Sequence, residues 1–440
     1  MNKVVKFGGS SLCNADEFRK VKKIIDSDSS RSVVVVSAPG KENKKDNKVT
    51  DLLYLTYSHI KYGVDFSEIF NVIKNKYLNI VKDLELKLDL SSEFIELEKR
   101  MNDKSISEEE LVSRGEYFSA LIMANYLGYT FVDSKDLIHF SYDGKVIENE
   151  TLKSINDAFI KYKKMVVPGF YGSYPNKKIC LFTRGGSDLT GSYMAKGIKA
   201  DKYENWTDVS GFYFADPKIV DNPRKINEVT YQELRELSYM GASVIHEETI
   251  IPLQEDNIPL EILNTNAPTD KGTLISKEAK DNKYLLTGIT GKKNFMAITF
   301  VKRKLADKLK VMLSVLNIFD RYHVSVEHIP TSIDSFSVVV DKSSIEESYY
   351  DIIAEIKKID DIISISEDDD IALIAIVGRN MVRKTGVSGR ILHVFGTEKI
   401  NIKLIDQGRE EINIIVGISN NDFEKSILAL YNKFSLEEAA

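Results

Sequence analysis

The sequence is poor in cysteine and histidine, with two cysteines (Cys13 and Cys180) and six histidines among 440 residues. Two cysteines cannot form a disulfide framework or a thiolate metal site, and they suit a reducing compartment. No apolar run reaches the roughly eighteen residues of a membrane span. An excess of basic residues is also lacking, since the formal net charge is −6. This balance argues against a nucleic-acid partner.

The composition itself is that of a globular protein, with 43% hydrophobic and 29% charged residues. A chain of 440 residues is too long for one ordinary core, so two or three domains are expected. The first apolar run begins almost at the N-terminus, without a signal peptide before it. We therefore expect a cytoplasmic protein that handles a small molecule and has no membrane partner.

Residues 1–270 alternate between predicted strands and helices, which indicates a mainly parallel sheet covered on both faces. Amphipathic stretches such as Ala15–Ile25 and Gly115–Leu127 predict helices. Residues from about 58 to 110 are nearly all helical in pattern and predict a helical insertion. The polar run Lys41–Lys48 predicts a solvated loop. The predicted buried strands are Val4–Phe7, Val33–Ser37, Thr130–Asp133, Met165–Val167, Ile179–Phe182 and Tyr203–Trp206.

After about residue 280 the sequence repeats with an offset of 76 residues. Each copy predicts a strand (Phe295–Val301; Ile371–Val377) and a helix (Leu305–Tyr322; Val387–Glu398). Two more strands follow in each copy. The aligned segments are Val324–Val326 with Ile400–Ile402 and Phe336–Val338 with Ile412–Ile414. Chance matching of apolar positions is a poor explanation for a shared element order over about thirty residues. The sequence therefore predicts a β-α-β-β module used twice.

The stretch VVKFGGSS, from Val4 to Ser11, runs a predicted strand directly into two glycines. Glycine lacks a Cβ atom, so the backbone can turn sharply there and a ligand can approach closely. Exposed N–H groups in such a turn bind anions, and Lys6 adds a cation. On this stretch alone, a phosphate site and a plain strand-to-helix turn are about equally favoured.

Three further motifs follow in the same region: SRGE (113–116), FTRGGSDLT (182–190) and NWTDVSGFYFADPK (205–218). The second repeats the strand, Gly-Gly, helix arrangement, and ligands of open α/β sheets bind at such strand ends. Two such turns and Lys6 predict a polyphosphate held from two sides. Walker A, protein-kinase and GxGxxG patterns are missing, which excludes the usual nucleotide folds.

The motifs KFGGSS, SRGE, FTRGGSDLT, WTDVSGFYFADP and GASVIH occur in the order found in aspartate kinases of the amino-acid kinase family, which this chain resembles over essentially its whole length. The resemblance implies an α/β three-layer sandwich with a mainly parallel central sheet, followed by two ferredoxin-like ACT domains. The implied boundaries are 1–280 for the kinase domain and 281–365 and 366–440 for the ACT domains. A chain of this length is expected to be monofunctional, without a fused homoserine dehydrogenase.

The implied reaction transfers the γ-phosphate of ATP to the side-chain carboxylate of L-aspartate, giving 4-phospho-L-aspartate. The resemblance gives Lys6, Gly9 and Asp188 catalytic roles: Lys6 on the transferring phosphoryl group and Asp188 holding Lys6. Alone, Asp188 could merely cap the following helix. Five ordered motifs favour the catalytic reading.

For aspartate, the resemblance assigns the α-carboxylate to Arg184 and the ammonium group to Glu116. Further substrate contacts are implied for Ser37, Thr50 and Ser187. Arg184 could instead be a surface residue beside the two glycines. His246 and His328 receive no role.

For the nucleotide, the resemblance implies a set of contacts drawn from the glycine turn and the later motifs. Mg²⁺ is expected mainly on the ATP phosphates, with no dedicated protein metal site. Relatives usually have lysine where this chain has Ser243, and many have arginine where it has Lys218. The first difference predicts weaker nucleotide binding or a substitute lysine. The implied contacts are Lys6, Gly8, Gly9, Ser10, Thr207, Asp208, Tyr213, Asp216, Lys218 and Ser243.

The first repeat resembles the inhibitor-binding segment of lysine-sensitive aspartate kinases, with Glu327 placed to meet an ammonium group. The second repeat has Lys403 at the matching position, which disfavours a cationic amino acid there. L-lysine is therefore the expected feedback inhibitor; threonine, or ACT units that only dimerise, are the alternatives. A homodimer or a dimer of dimers through the ACT domains is expected. The implied effector contacts are Val311, Met312, Ser325, Val326 and Glu327.

Two other functions compete with this one. Another amino-acid kinase, acting on glutamate or acetylglutamate, is disfavoured by the repeated C-terminal module and by SRGE. A catalytically inactive amino-acid sensor is disfavoured because Lys6, Glu116, Arg184 and Asp188 are all retained.

Overall fold

The computed structural model describes residues 1–183, 185–241, 245, 247–280, 283–302 and 307–438. The chain forms two compact units. The first comprises Met1–Phe212, Asn227–Tyr231 and Val244–Lys280, and the second Tyr213–Ile226, Gln232–Ser243 and Asp281–Ala440. Within the described ranges, no helix is long and apolar enough to cross a membrane.

The first unit is built on an eight-stranded sheet with the order β3-β4-β2-β1-β7-β9-β10-β8. All neighbouring pairs are parallel except β9 with β10, which confirms the mainly parallel sheet. Its strands, and a separate β5-β6 hairpin, are β1 (Lys3–Phe7), β2 (Arg31–Val36), β3 (Thr130–Phe131), β4 (Met165–Pro168), β5 (Tyr171–Ser173), β6 (Ile179–Leu181), β7 (Lys202–Thr207), β8 (Glu228–Thr230), β9 (Leu260–Asn264) and β10 (Thr273–Ser276).

Helices cover both faces of this sheet. Successive side chains of a strand point to opposite faces, so each strand contacts helices on both sides. Val5 and Phe7 of β1 belong to the large apolar core shared with α1 and α5. Lys6, between them, faces α7. The helices are α1 (Ala15–Asp26), α2 (Val49–Tyr62), α3 (Ser67–Asp83), α4 (Ser91–Asn102), α5 (Glu108–Leu127), α6 (Glu148–Tyr162), α7 (Gly186–Gly197), α8 (Tyr231–Tyr239, mostly in the second unit) and α9 (Ile250–Glu255).

Residues 58–110, where a helical insertion is predicted, contain the end of α2, all of α3 and α4, and the start of α5. Apolar side chains at helical spacing explain it: Phe70, Ile73 and Tyr77 of α3 are all buried in the core. The polar run Lys41–Lys48 has no helix or strand, as predicted. The strands β5, β8, β9 and β10 were not predicted, because their apolar runs are short.

The second unit contains a five-stranded antiparallel sheet with the order β12-β11-β13-β15-β14. Two apolar cores lie against it, one with α10 and α12 and one with α13 and α14. Its elements are β11 (Gly288–Lys302), α10 (Lys308–Arg321), β12 (Ser335–Asp341), α11 (Lys342–Ile345), α12 (Tyr349–Ile356), β13 (Ile362–Val377), α13 (Val387–Thr397), β14 (Leu404–Asp406), β15 (Asn413–Ile418) and α14 (Phe423–Phe434).

The repeat is confirmed in its first strand, its helix and its last strand, and the same local error occurs in both copies. The predicted strands Val324–Val326 and Ile400–Ile402 are wrong, because neither segment is a strand. In the first copy a single bridge joins His328 to Val339, and in the second copy the strand begins only at Leu404. Only two residues separate each segment from the end of a helix, so the chain is still leaving the helix there. Strand pairing therefore begins two to four residues later than the apolar pattern implies.

The two long strands, β11 and β13, each contribute residues to both copies of the repeat. In β11, residues 295–301 pair with β12, whereas residues 288–292 pair with the end of β13. The predicted boundaries at residues 280 and 365 remain predictions.

Candidate active site

The turns after β1 and β2 lie against each other at the carboxyl edge of the sheet. The amide of Gly40 donates to the carbonyl of Gly9 at 2.8 Å. A Cβ atom on Gly9 would lie 2.8 Å from the carbonyl oxygen of Ala38, and one on Gly40 would lie 2.7 Å from the carbonyl carbon of Gly9. Both positions therefore require glycine. Gly40 was not identified from the sequence, although the motif SAPG carries it.

The glycine turn is anchored to β7 by its first amide. Gly8 donates its N–H to the carbonyl of Trp206 at 3.1 Å. The Gly8 N–H group is therefore already hydrogen-bonded within the protein. What glycine provides at this position is the space that a side chain would otherwise fill. Gly9 and Ser10 begin a short 3-10 helix, Gly9–Leu12, whose first amides have no partner within the helix.

Lys6 is paired with Asp188, the third residue of α7. The distance from Lys6 Nζ to Asp188 Oδ1 is 2.6 Å, and the two side chains are only 10% and 18% exposed. The amide of Asn205 donates to the same carboxylate oxygen at 2.9 Å. A Cβ atom on Gly8 would lie 3.6 Å from Lys6 Nζ. The structure thus places one shielded cation directly beside the glycine turn.

Glu116 lies in α5 and is buried, with 4% of its surface exposed. Its Oε1 accepts a hydrogen bond from the amide of Ala38 at 3.1 Å. Its Oε2 is buried and has no hydrogen-bond partner among the described residues. Burial raises the pKa of the Glu116 carboxyl to about 8. A buried acceptor with an unused oxygen beside the β2 turn could accept a hydrogen bond from a ligand's cationic group.

Of the remaining residues predicted to contact aspartate, one follows a strand and two lie in the first turns of helices. Ser37 follows β2 and donates its amide to the Phe7 carbonyl at 3.2 Å. Thr50 lies in the first turn of α2. Ser187 lies in the first turn of α7 and packs against Gly169, which follows β4. Arg184 lies outside the described residues.

On the other side of β1, the end of β7 carries two of the predicted nucleotide contacts. Thr207 is the last residue of β7, and its hydroxyl donates to Asp208 at 3.2 Å. The Thr207 carbonyl accepts the amide of Thr265 at 2.9 Å. The Thr265 hydroxyl lies 2.8 Å from that of Ser11, and both residues are buried. This link between β9 and the glycine turn was not identified from the sequence.

Three other predicted nucleotide contacts belong to the second unit. Tyr213 is half-buried and forms a single bridge with Lys225. Asp216 and Lys218 are exposed, and the Asp216 carboxylate accepts the amide of Lys218 at 2.8 Å. Ser243 lies outside the described residues.

The predicted effector residues lie on α10 and in the loop after it. Val311 is buried in the apolar core, and Met312 packs against that core. Ser325 is exposed, while Val326 and Glu327 are half-buried. The Glu327 amide donates to the carbonyl of Val339 at 2.8 Å. In the second copy, Lys403 Nζ contacts Asp368 at 3.0 Å and the carbonyl of Asp370 at 2.6 Å.

Comparison with known proteins gives two family matches. Residues 1–264 match the amino acid kinase family, and residues 374–434 match an ACT domain. Aspartokinase 3 of Bacillus subtilis is 32% identical over 98% of both chains. The crystal structure of Clostridium acetobutylicum aspartate kinase is 43% identical, covers 98% of this chain and 100% of its own, and superposes with a TM-score of 0.93.

Two crystal structures of Escherichia coli aspartokinase III share the fold. One is in complex with aspartate and ADP, is 22% identical and has a TM-score of 0.77. The other is in complex with lysine and aspartate, is 23% identical and has a TM-score of 0.78. Each covers 98% of this chain and 99% of its own.

Proposed function

This chain is a member of the amino acid kinase family and, within it, of the aspartokinases, and on that premise we propose that it transfers the γ-phosphoryl group of ATP to the side-chain carboxylate of L-aspartate. The product is 4-phospho-L-aspartate, and the reaction would open lysine, threonine and methionine biosynthesis. The observation that carries the proposal is the Lys6 ammonium group, held 2.6 Å from Asp188 beside the glycine turn.

The chemistry requires positioning and charge neutralisation more than proton transfer. The aspartate side chain has a reference pKa near 3.9, so it is already ionised at neutral pH and needs no general base. A carboxylate oxygen attacks the γ-phosphorus, the bond to the bridging oxygen breaks, and ADP leaves. Lys6 would neutralise the charge that builds up on the transferring group. ATP would arrive with Mg²⁺ on its phosphates.

Aspartate would lie at the carboxyl ends of β2 and β4. Glu116 supports this assignment, because its buried and unpartnered Oε2 would gain a charge-assisted hydrogen bond from the substrate ammonium group. Ser37, which follows β2, and Thr50 and Ser187, in the first turns of α2 and α7, would complete the contacts. Arg184 remains the predicted partner of the α-carboxylate.

The nucleotide would lie at the glycine turn and the end of β7. Gly9 and Ser10 would donate backbone N–H groups to the phosphates, and Gly8 would leave space for them. Thr207 and Asp208 would provide further polar contacts to the nucleotide. Tyr213, Asp216, Lys218 and Ser243 remain predicted nucleotide contacts.

We further propose that L-lysine is the feedback effector and that it binds the first copy of the repeat at Val311, Met312, Ser325, Val326 and Glu327. The lysine complex of Escherichia coli aspartokinase III supports this choice. Glu327 is half-buried and carries the negative charge that a lysine side chain would meet. ACT domains of different chains would pair, giving a homodimer or a dimer of dimers. A cytoplasmic location completes the proposal, and the two buried free thiols suit that compartment.

A coupled assay for ADP with L-aspartate, L-glutamate and N-acetyl-L-glutamate, each with ATP and Mg²⁺, tests the substrate. ADP formation that depends on aspartate and is at least tenfold slower with the other two acids is expected. A preference for glutamate or acetylglutamate would reassign the chain to another kinase of the family. No turnover with any acid would favour an amino-acid sensor.

A further inference from the structure

Two side chains of β7 hold Asp188. Tyr203 and Asn205 are two residues apart in the strand and therefore point to the same face of the sheet. The Tyr203 hydroxyl donates to the backbone carbonyl of Asp188 at 3.1 Å, and the Asn205 amide donates to its side-chain Oδ1 at 2.9 Å. Tyr203 is 0% exposed and Asn205 is 3% exposed. Asp188 is thus fixed at its backbone and at its carboxylate from one strand.

Asn205 also lies directly beside Lys6. The two residues are register partners on the adjacent parallel strands β1 and β7. Lys6 Nζ and Asn205 Nδ2 share the same carboxylate oxygen of Asp188. Because the amide is neutral, it orients the carboxylate without supplying a second cation, and among the described residues Lys6 is the cation that pairs with Asp188.

We propose that Asn205 is a positioning residue for phosphoryl transfer, acting on Lys6 through Asp188. The inference rests on the proposed function and gives a role to Asn205, the first residue of the motif NWTDVSGFYFADPK, to which neither the sequence analysis nor the comparisons assign one. A lysine ammonium group is carried on a flexible four-carbon chain, so its position depends on its anchor. If Asp188 turned, the ammonium group would leave the glycine turn, and displacements of about 1 Å can cost about a hundredfold in rate.

The first test is Asn205→Leu, which keeps approximate size and removes the donor. We expect kcat to fall about tenfold or more, with the KM for aspartate within about twofold of wild type, because the loss occurs where charge develops in the transition state. Tyr231→Phe is the matched control. It also removes one buried hydrogen bond of the first unit, from its hydroxyl to the Ile258 carbonyl, away from Asp188. Thermal unfolding of both variants checks that they fold.

The second test is Asn205→Asp, which keeps the shape and replaces the donor by a titrating group. Near pH 8.5 the introduced carboxylate faces Asp188 with like charge and cannot donate. As pH falls it takes up a proton and can donate to Asp188 again; the Asp188 carboxylate raises the pKa of the introduced carboxyl, and the Lys6 ammonium group, which shares that oxygen, lowers it. We expect the ratio of wild-type to variant kcat to shrink at least fivefold between pH 8.5 and pH 6.

The inference is overturned if Asn205→Leu matches Tyr231→Phe in kcat, if its defect lies only in KM, or if the pH profile of Asn205→Asp runs parallel to that of wild type. A wild-type enzyme that forms no ADP with aspartate would instead overturn the proposed function, and this inference with it. The two failures are therefore distinguishable.

Discussion

Among single residues, Glu116 is a carboxyl group that is almost wholly removed from water, with 4% of its surface exposed. Its burial raises the pKa of the carboxyl to about 8, well above that of an exposed glutamate. The folded state therefore binds the proton more tightly than the unfolded state does. The stabilisation from protonated Glu116 is complete below about pH 4.5 and is lost as pH rises towards 8. Without a ligand, the ionised Glu116 carboxylate is therefore an unfavourable buried charge at high pH.

Glu116→Gln removes this charge and is expected to alter the pH dependence of stability. Near pH 5 the variant and wild type should have similar free energies of unfolding. Near pH 8.5 the variant should be more stable by about 2–4 kcal/mol, since one pKa unit corresponds to about 1.4 kcal/mol. Chemical denaturation at four pH values measures this. Two parallel stability profiles would contradict the burial argument.

Lys6→Ala should remove most of the activity and little of the fold. The loss of one group that meets transition-state charge costs about 3–4 kcal/mol, so kcat should fall about a hundredfold to a thousandfold. Lys202→Ala is the matched control, because Lys202 lies in the same sheet and is half-exposed in an ion pair with Glu261. The control should keep its rate within about twofold. Steady-state kinetics of both variants would reject the role of Lys6 if their rates were equal.

Among the elements, the two touching turns after β1 and β2 leave no room for an added side chain at Gly9 or Gly40. Gly40→Ala would place a Cβ atom 2.7–2.9 Å from the backbone of Gly9 and Ser10, where no flexible side chain can move aside. We expect a loss of about 1–3 kcal/mol in stability and a raised KM for ATP.

Gly389→Ala in α13 is the control for this substitution, because nothing lies within 4 Å of its added Cβ atom. It should be neutral or stabilising by up to about 1 kcal/mol, since alanine favours a helix interior. Circular dichroism melts and ATP titrations of both variants provide the comparison. Equal melting temperatures would show that the turns can separate.

Local patterns predicted the elements, but not which elements become neighbours. The strand Val4–Phe7 and its glycine turn were evident because their signals are contiguous in the chain. The roles of Gly40, Asn205 and Thr265 were missed because they depend on strand order, which places β2 and β7 on either side of β1, and β9 next to β7. The segment Val324–Val326 was mistaken for a strand because an apolar pattern cannot show whether a neighbouring strand pairs with it.

At the scale of the whole molecule, feedback control is the property that the proposal adds to catalysis. L-lysine should inhibit the wild-type enzyme. Glu327→Gln should raise the inhibitory concentration of lysine at least tenfold, since allosteric coupling free energies are typically about 1–3 kcal/mol. The rate without lysine should stay within about twofold of wild type. Glu347→Gln, which alters an exposed glutamate of the same unit, should behave like wild type. Activity measured against lysine, threonine and methionine decides this. Inhibition by threonine alone, or equal inhibition of Glu327→Gln and wild type, would reject the lysine site.

The central claim is that the terminal phosphoryl group of ATP moves to the side-chain carboxylate of aspartate. The most direct measurement is to incubate the wild-type protein with ATP, Mg²⁺ and L-aspartate in the presence of hydroxylamine, which converts an acyl phosphate into a hydroxamate. We predict β-aspartyl hydroxamate in an amount equal to the ADP formed, and about a hundredfold to a thousandfold less of both products with Lys6→Ala. ADP without hydroxamate, or hydroxamate from glutamate in place of aspartate, would contradict the account.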